Sequence, residues 1–180
     1  MVHAEDAIDL YRRLTANHNQ IWLTGGWGID ALLGKQTRPH KDLDIIMLLD
    51  DVVRLRERLS GDGYDLKELW SENRQAVDAR GIETPTAFVL RDAAGREIDV
   101  HAMQIDTHGN GLPAWIDDAG LIFKPIDLGG EGVIAGLPVH CLSAEMQVVC
   151  HTGYALPDAQ RRDLDRLRAK FGVEYPRASA

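Results

Sequence analysis

Thr24-Gly25-Gly26-Trp27-Gly28-Ile29-Asp30, followed by Thr37-Arg38-Pro39-His40-Lys41 and Asp42-Leu43-Asp44-Ile45-Ile46-Met47-Leu48-Leu49, decides how this 180-residue chain is read. The apolar run Ile21-Trp22-Leu23 before it, with turn formers on both sides, predicts a strand. Gly25-Gly26 then turns the chain into a helix over 27–33, with Gly34 as its C-cap. A basic loop leads to a second, buried strand that opens with two acids. Side chains alternate along a strand, so Asp42 and Asp44 face one side, about 6.5–7 Å apart, while Leu43 and Ile45 face the other. Two carboxylates entering an apolar strand need a cation, and a pair on one face can share one divalent ion or hold two. Glycines at a helix N-terminus let backbone N–H groups approach an anion, which the helix dipole also favours. The glycines alone are weak evidence, being neither a P-loop nor a Gly-x-Gly-x-x-Gly fingerprint. With the acids, they point to a site for a metal and a nucleotide. The competing reading is a solvated strand end, with Asp44 paired to Arg38 or Lys41.

A third acid stands further on. Residues 86–91 and 96–102 read as strands joined by the hairpin signal Asp92-Ala93-Ala94-Gly95. Glu97, Asp99 and His101 share one face of the second strand, and Asp99 sits between two β-branched residues, a costly place for an unpaired charge. If this strand lies beside the one bearing Asp42 and Asp44, Asp99 completes a trio. It would hold a second ion or take the proton from an attacking hydroxyl. His101 reads equally well as a base or substrate contact and as an ordinary hairpin histidine.

Composition narrows the partners. Twenty Lys and Arg against 28 Asp and Glu give a net charge of -8, with the basic residues scattered, so no nucleic-acid footprint is present. The first residues lack the basic and apolar regions of a signal peptide, and the longest aliphatic run, 45–49, is too short to span a bilayer. The expectation is a cytoplasmic protein with neither nucleic acid nor membrane as partner. Cys141 and Cys150 are the only cysteines; neither His140-Cys141 nor Cys150-His151 has zinc-ligand spacing, so both read as buried thiols.

The remaining segments frame that centre. Ala7, Ile8, Tyr11, Leu14 and His18 form the stripe of an amphipathic helix over 4–18. Asp50 or Asp51 is expected to cap a helix ending at Gly61-Asp62-Gly63. Residues 64–70 predict a strand with Tyr64, Leu66, Leu69 and Trp70 partly inward, and 71–85 a loop with a helical turn. Gly- and Pro-rich loops and brief strands, including pieces at 121–123 and 133–134, fill 104–142. Ser143 caps a helix running toward Tyr154, and Pro157 opens another to Lys170 with Leu164 and Leu167 inward and Asp163 among its outward charges.

Residues 25–34, Thr37-Arg38, His40 and 42–45 closely resemble the signature of small antibiotic nucleotidyltransferases of the DNA polymerase β-like superfamily. Both the lincosamide and the aminoglycoside 2''-nucleotidyltransferases share it. Residues 131–139 look like the same group; Asp99-Val100-His101, and 151–156 followed by Asp163-Leu164, look more like the lincosamide branch. The resemblance is weakest at 64–84.

This resemblance implies an α/β (α+β) nucleotidyltransferase fold: a small mixed sheet flanked by helices, with a core over 1–142 and a short helical extension over 143–180 packed on it. It also implies Mg²⁺-dependent transfer of a nucleoside monophosphate from an NTP, ATP first, to a drug hydroxyl, with release of pyrophosphate. Gly25 and Gly26 would hold the triphosphate, with Arg38 and His40 beside the phosphates. Asp42 and Asp44 would hold metal in a two-ion site, and Asp99 would be the metal-coupled general base. The acceptor, a small hydroxylated molecule, is the open part: Glu83, His101 and Tyr154, with Trp70 and Trp115, are candidate wall residues. The loop over 71–85, the C-terminal helices or the second subunit of a homodimer would complete the pocket. The alternatives are the same chemistry on an aminoglycoside, a metabolite or a protein side chain, and a non-catalytic nucleotide or small-molecule binding module.

Overall fold

The computed structural model describes residues 1–16, 19–116, 120–152 and 154–174. In chain order the elements are α1 (Ala4–Thr15), β1 (Ile21–Leu23), α2 (Gly25–Leu33), β2 (Asp42–Leu48), α3 (Leu49–Gly61), β3 (Tyr64–Leu69), β4 (Gln75–Val77), β5 (Glu83–Pro85), β6 (Ala87–Asp92), β7 (Glu97–Ile105), β8 (Gly111–Pro113), β9 (Gly130–Ile134), β10 (Leu137–Cys141), α4 (Ala144–Cys150) and α5 (Asp158–Phe171). The main sheet runs β3-β6-β7-β2-β1-β10-β9, with β8 on β7, and β4 and β5 form a separate hairpin. β2 pairs with β7, and β1 with β10, in parallel, among otherwise antiparallel neighbours. The expected small mixed sheet flanked by helices is what the chain forms.

β2 lies in the middle of the sheet because its apolar residues can be covered on both faces. Leu43, Ile45 and Met47 join the main core, with Ile98, Val100 and Ala102 of β7. Ile46 faces the other way, into a smaller cluster with Trp22, Met103, Phe123, Leu142 and Met146. Asp42 and Asp44 share the Ile46 side by alternation, so the acids stand where this thinner layer ends. Truncating a fully buried residue such as Ile45 to Ala would cost about 2–5 kcal/mol.

α2 is held at both ends by helices made much later in the chain. Near its start, Gln147 of α4 donates to Leu23 O; at its end, Lys170 of α5 donates to Leu32 O and Leu33 O at 2.8 and 3.2 Å. β9 passes so close that a Cβ on Gly132 would stand 2.5 Å from the Ala31 carbonyl carbon. Leu164 and Leu167 of α5 join the main core.

Several local expectations need correction. α2 begins at Gly25 rather than Trp27, so the glycines are its first turn; Gly34 does cap it in the left-handed region. α3 starts at Leu49, and neither Asp50 nor Asp51 caps it: both fall in its first turn, where Asp50 accepts from Ala79 N. Of the residues expected inward over 64–70, Tyr64 is buried but Leu66 and Leu69 are 45% and 48% exposed. β3 is an edge strand whose register shifts between Leu66 and Glu68, which leaves it little to pack against. The 71–85 loop contains the β4–β5 hairpin. Phe123 forms only an isolated bridge to Gly111. The predicted helical stripe at the N-terminus is confirmed through Leu14; its last member, His18, lies outside the described residues. Among the described residues no helix is long and apolar enough to cross a membrane.

Candidate active site

The parallel pairing of β2 with β7 sets Asp44 opposite Asp99, Asp42 opposite Glu97 and Ile46 opposite His101. Glu97 is occupied elsewhere: Lys41, Lys67 and Arg91 reach its carboxylate at 2.9, 3.1 and 3.3 Å. Burial alone would raise its pKa, but the lysines outweigh that and hold it below the usual range. Asp44 and Asp99 have no such company. Burial, with the charges of Asp42 and Asp99, pushes Asp44 well above the ordinary carboxylate range. Asp99 is also raised, chiefly by burial, although His101 and a hydrogen bond from Trp70 Nε1 at 2.8 Å oppose the shift. His101 Nδ1 lies 3.4 Å from Asp99, and its Nε2 lies 3.5 Å from Glu72.

The solvated-strand-end reading fails on the pairing. Among the described residues Arg38 is engaged by Asp163 and acts on Asp44 through its charge without an ion pair, Lys41 is engaged by Glu97, and Asp42 has a 4.0 Å contact with Lys41. Among the described residues no three His, Cys, Asp or Glu side chains converge into a ready-made metal cage. Repulsion among Asp42, Asp44 and Asp99 is the kind of strain a divalent ion relieves.

Each glycine of the first α2 turn answers to a different neighbour. Gly25 has φ +58, and a Cβ there would fall 2.2 Å from Asp44 Oδ2; one on Gly26 would fall 2.1 Å from His40 Nδ1; one on Gly28 would fall 2.4 Å from Gln147 Nε2. The helix start is thus pressed against the carboxylate that leads the site. Gln147 is fully buried and pins the turn by accepting from Thr24 Oγ1 at 3.1 Å and donating to Leu23 O at 3.2 Å.

Two buried acids fasten the basic loop. Asp30 accepts from Thr37 N and Thr37 Oγ1 at 2.9 and 2.7 Å and meets His40 Nε2 at 2.5 Å; the His40 ring also packs on Trp27 at 4.8 Å between centroids. Asp163, expected on an outward face, is 1% exposed and accepts from Arg38 Nε at 2.7 Å and Arg166 at 2.9 Å. Sequence reasoning placed Asp30 in the motif without a role, and missed those of Gln147, Trp70 and Asp163. A polar residue inside an apolar stripe was the only signal for Gln147. Asp163 carried none beyond the family resemblance, since its arginine-rich surroundings read as solvated.

A cavity of about 780 Å³ collects these parts. Gly25, Gly26, Arg38, His40, Asp42 and Asp44 line one side; His101, Trp115, Leu121, Val149 and Tyr154 line the other. Asp99 stands behind this surface, beside Asp44 across the strand pair. Glu83 is left out: it lies exposed on β5, opposite Val77 in the small hairpin. Trp70 does not line the cavity; its Nε1 donates to Asp99. Cys150 lines the cavity and Cys141 lies in the core, and burial pushes both thiols up to about 12.

A glycine-led helix start against carboxylates on neighbouring strands of a mixed sheet defines a nucleotidyltransferase. The aminoglycoside-2''-adenylyltransferase family matches residues 7–167, and the chain belongs to it. A lincosamide resistance protein of Staphylococcus haemolyticus is 25% identical over 162 residues, 90% of each chain. The crystal structure of the lincosamide antibiotic adenylyltransferase LnuA, lincomycin-bound, superposes with a TM-score of 0.70 at 25% identity, covering 90% of this chain and 92% of that one. The fold is shared too by ANT(2'')-Ia in complex with adenylyl-2''-tobramycin, with a TM-score of 0.62 at 20% identity over 93% of this chain and 90% of that one.

Proposed function

We propose that the protein transfers a nucleoside monophosphate from an NTP, ATP first, to a hydroxyl of a lincosamide-like antibiotic and releases pyrophosphate. The observation that carries this reading is the register that sets Asp99 beside Asp44, which shares the cavity lining with the glycine turn and the basic loop. The N–H groups at the start of α2, with Arg38 and His40, receive the triphosphate. Asp42, Asp44 and Asp99 would hold Mg²⁺, which when bound offsets the phosphate charge and makes the α-phosphorus more electrophilic. Asp99 takes the proton of the acceptor hydroxyl as its oxygen bonds to the α-phosphorus, and the bond to the pyrophosphate oxygen breaks in line. The protein's share is positioning and electrostatics. Trp70 holds the Asp99 carboxylate by one oxygen, leaving the other for this work.

The acceptor side favours a lincosamide. Trp115 packs edge-on against His101 at 4.8 Å between centroids, and with Ile46, Leu121, Val149 and Tyr154 it offers an aromatic and aliphatic wall, to which Glu72 adds an acid. Aminoglycosides are the second reading, favoured by the net charge of -8. We further propose that 1–142 acts as the catalytic core and 143–180 as a helical extension that completes the cleft. Incubation with Mg²⁺, ATP and a panel of lincosamides and aminoglycosides, read by mass spectrometry, tests the proposal. Lincomycin or clindamycin is expected to gain one nucleoside monophosphate. Transfer confined to aminoglycosides would replace the acceptor, and no transfer to any drug would end the antibiotic reading.

A further inference from the structure

We infer that Asp163 of α5 is a positioning residue for the nucleotide phosphates, acting by orienting Arg38; this rests on the nucleotide reading above. Arg38 reaches the cavity from the loop between α2 and β2, and long arginine side chains lose much freedom when one geometry is enforced. Here two hydrogen bonds enforce it. Nε donates to Asp163 Oδ2 at 2.7 Å, and Nη1 donates to Pro39 O at 3.1 Å. Nη2 is turned over the first turn of α2, within 3.0 Å of where a Cβ on Gly26 would stand. The guanidinium therefore presents its outer edge at the place where helix N–H groups await an anion.

Asp163 is itself immobilised. Its other oxygen accepts from Arg166 at 2.9 Å and lies 3.5 Å from Thr37 Oγ1, the hydroxyl that also binds Asp30. A carboxylate buried this deeply amid two guanidinium groups is an expensive device for packing alone, and an apolar residue would fill the space at less cost. Its geometry suits a fixed counter-charge that aims one cation while leaving that cation a face for a ligand.

The test is binding of Mg²⁺ with a non-hydrolysable ATP analogue, measured by calorimetry on the full chain for wild type, Asp163→Asn, Arg38→Ala and the double variant. Asp163→Asn is expected to weaken binding about 10-fold, the scale of one charge-assisted hydrogen bond. The double variant should bind within about twofold of Arg38→Ala alone, since the two residues act as one unit. Losses that multiply, or an Asp163→Asn variant that binds like wild type, would overturn the inference. Arg38→Lys covers the case in which Asp163→Asn folds poorly: it keeps the charge but lacks the Nε that Asp163 grips. It should weaken binding about as far as Asp163→Asn, and wild-type affinity in Arg38→Lys would equally sink the idea. In turnover assays the loss should fall on KM for ATP, with KM for the drug unchanged; a merely structural defect would disturb both. A wild-type protein that does not bind the analogue at all would remove the nucleotide reading, and this inference with it.

Discussion

Around Gly25 and Gly26 the structure is tied from behind: Gln147 fixes the turn, Asp30 holds Thr37 and His40, and Asp163 holds Arg38. Across the cavity, around Trp115 and Tyr154, ring contacts stand beside exposed hydrogen bonds, from Arg74 Nε to Trp115 O and from Tyr154 Oη to Gln160 Oε1. Trp115 packs on His101 and Phe123, while Tyr154 is 52% exposed and touches Gln160 at 3.2 Å. On the proposed reading the first flank meets the same triphosphate every time, and directional bonds suit that constancy. The second meets whatever acceptor the protein serves, and apolar surfaces can change shape without stranding a polar group. A site of this design can alter its drug while its chemistry stays put.

That contrast can be attacked from its strong side first. Asp99→Asn is expected to lower the transfer rate about 10²–10⁴-fold, the span of a lost general base, while Mg²⁺ and ATP analogue still bind; a rate near wild type would remove Asp99 from the chemistry. Gly25→Ala should cost about 100-fold or more, because the added methyl must displace Asp44 and accept a left-handed backbone. On the acceptor flank, Trp115→Ala should raise KM for the drug about 10-fold and leave KM for ATP alone. An equal rise in both would show that the two flanks are one unit. Glu83→Gln should leave both constants within about twofold, as expected of an exposed residue away from the cavity.

The carboxylates also predict a pH response in the metal-free protein. Asp44 and Asp99 bind protons more tightly when folded than when unfolded, because their folded pKa values are raised. They therefore add stability as pH falls through those raised values and withdraw it as pH rises. Mg²⁺ should lift the melting temperature at pH 8 and do so less at pH 5, where protons compete for the same oxygens. By the same logic Asp44→Asn should melt higher than wild type without metal, although it transfers nothing. A lower melting point would show that the acids are not in conflict.

The tied flank was the legible one. Asp42-Leu43-Asp44 announces itself because alternation on a strand is local, and Asp99 does so because a charge between Ile98 and Val100 needs a reason. The pairing of their strands stayed a condition in the sequence, and the parallel register of β2 with β7 meets it. What stayed hidden depends on distance along the chain. Asp163 lies among arginines of its own helix, yet its partner Arg38 is 125 residues away. Leu66 and Leu69 look inward by pattern, and only the edge position of β3 leaves them in solvent. Glu83 was a candidate wall residue in a segment, 71–85, expected to help complete the pocket, but the hairpin carries it off the cavity.

The grip of Lys170 on the last carbonyls of α2 has a consequence for synthesis. The glycine turn, the basic loop and both leading acids emerge from the ribosome well before α4 and α5, which clamp the two ends of α2. Until those helices fold back, the phosphate turn has no fixed direction, so a growing chain that already carries Asp99 should still be unable to act. A ribosome stalled before α5 is therefore expected to display Asp42, Asp44 and Asp99 without activity.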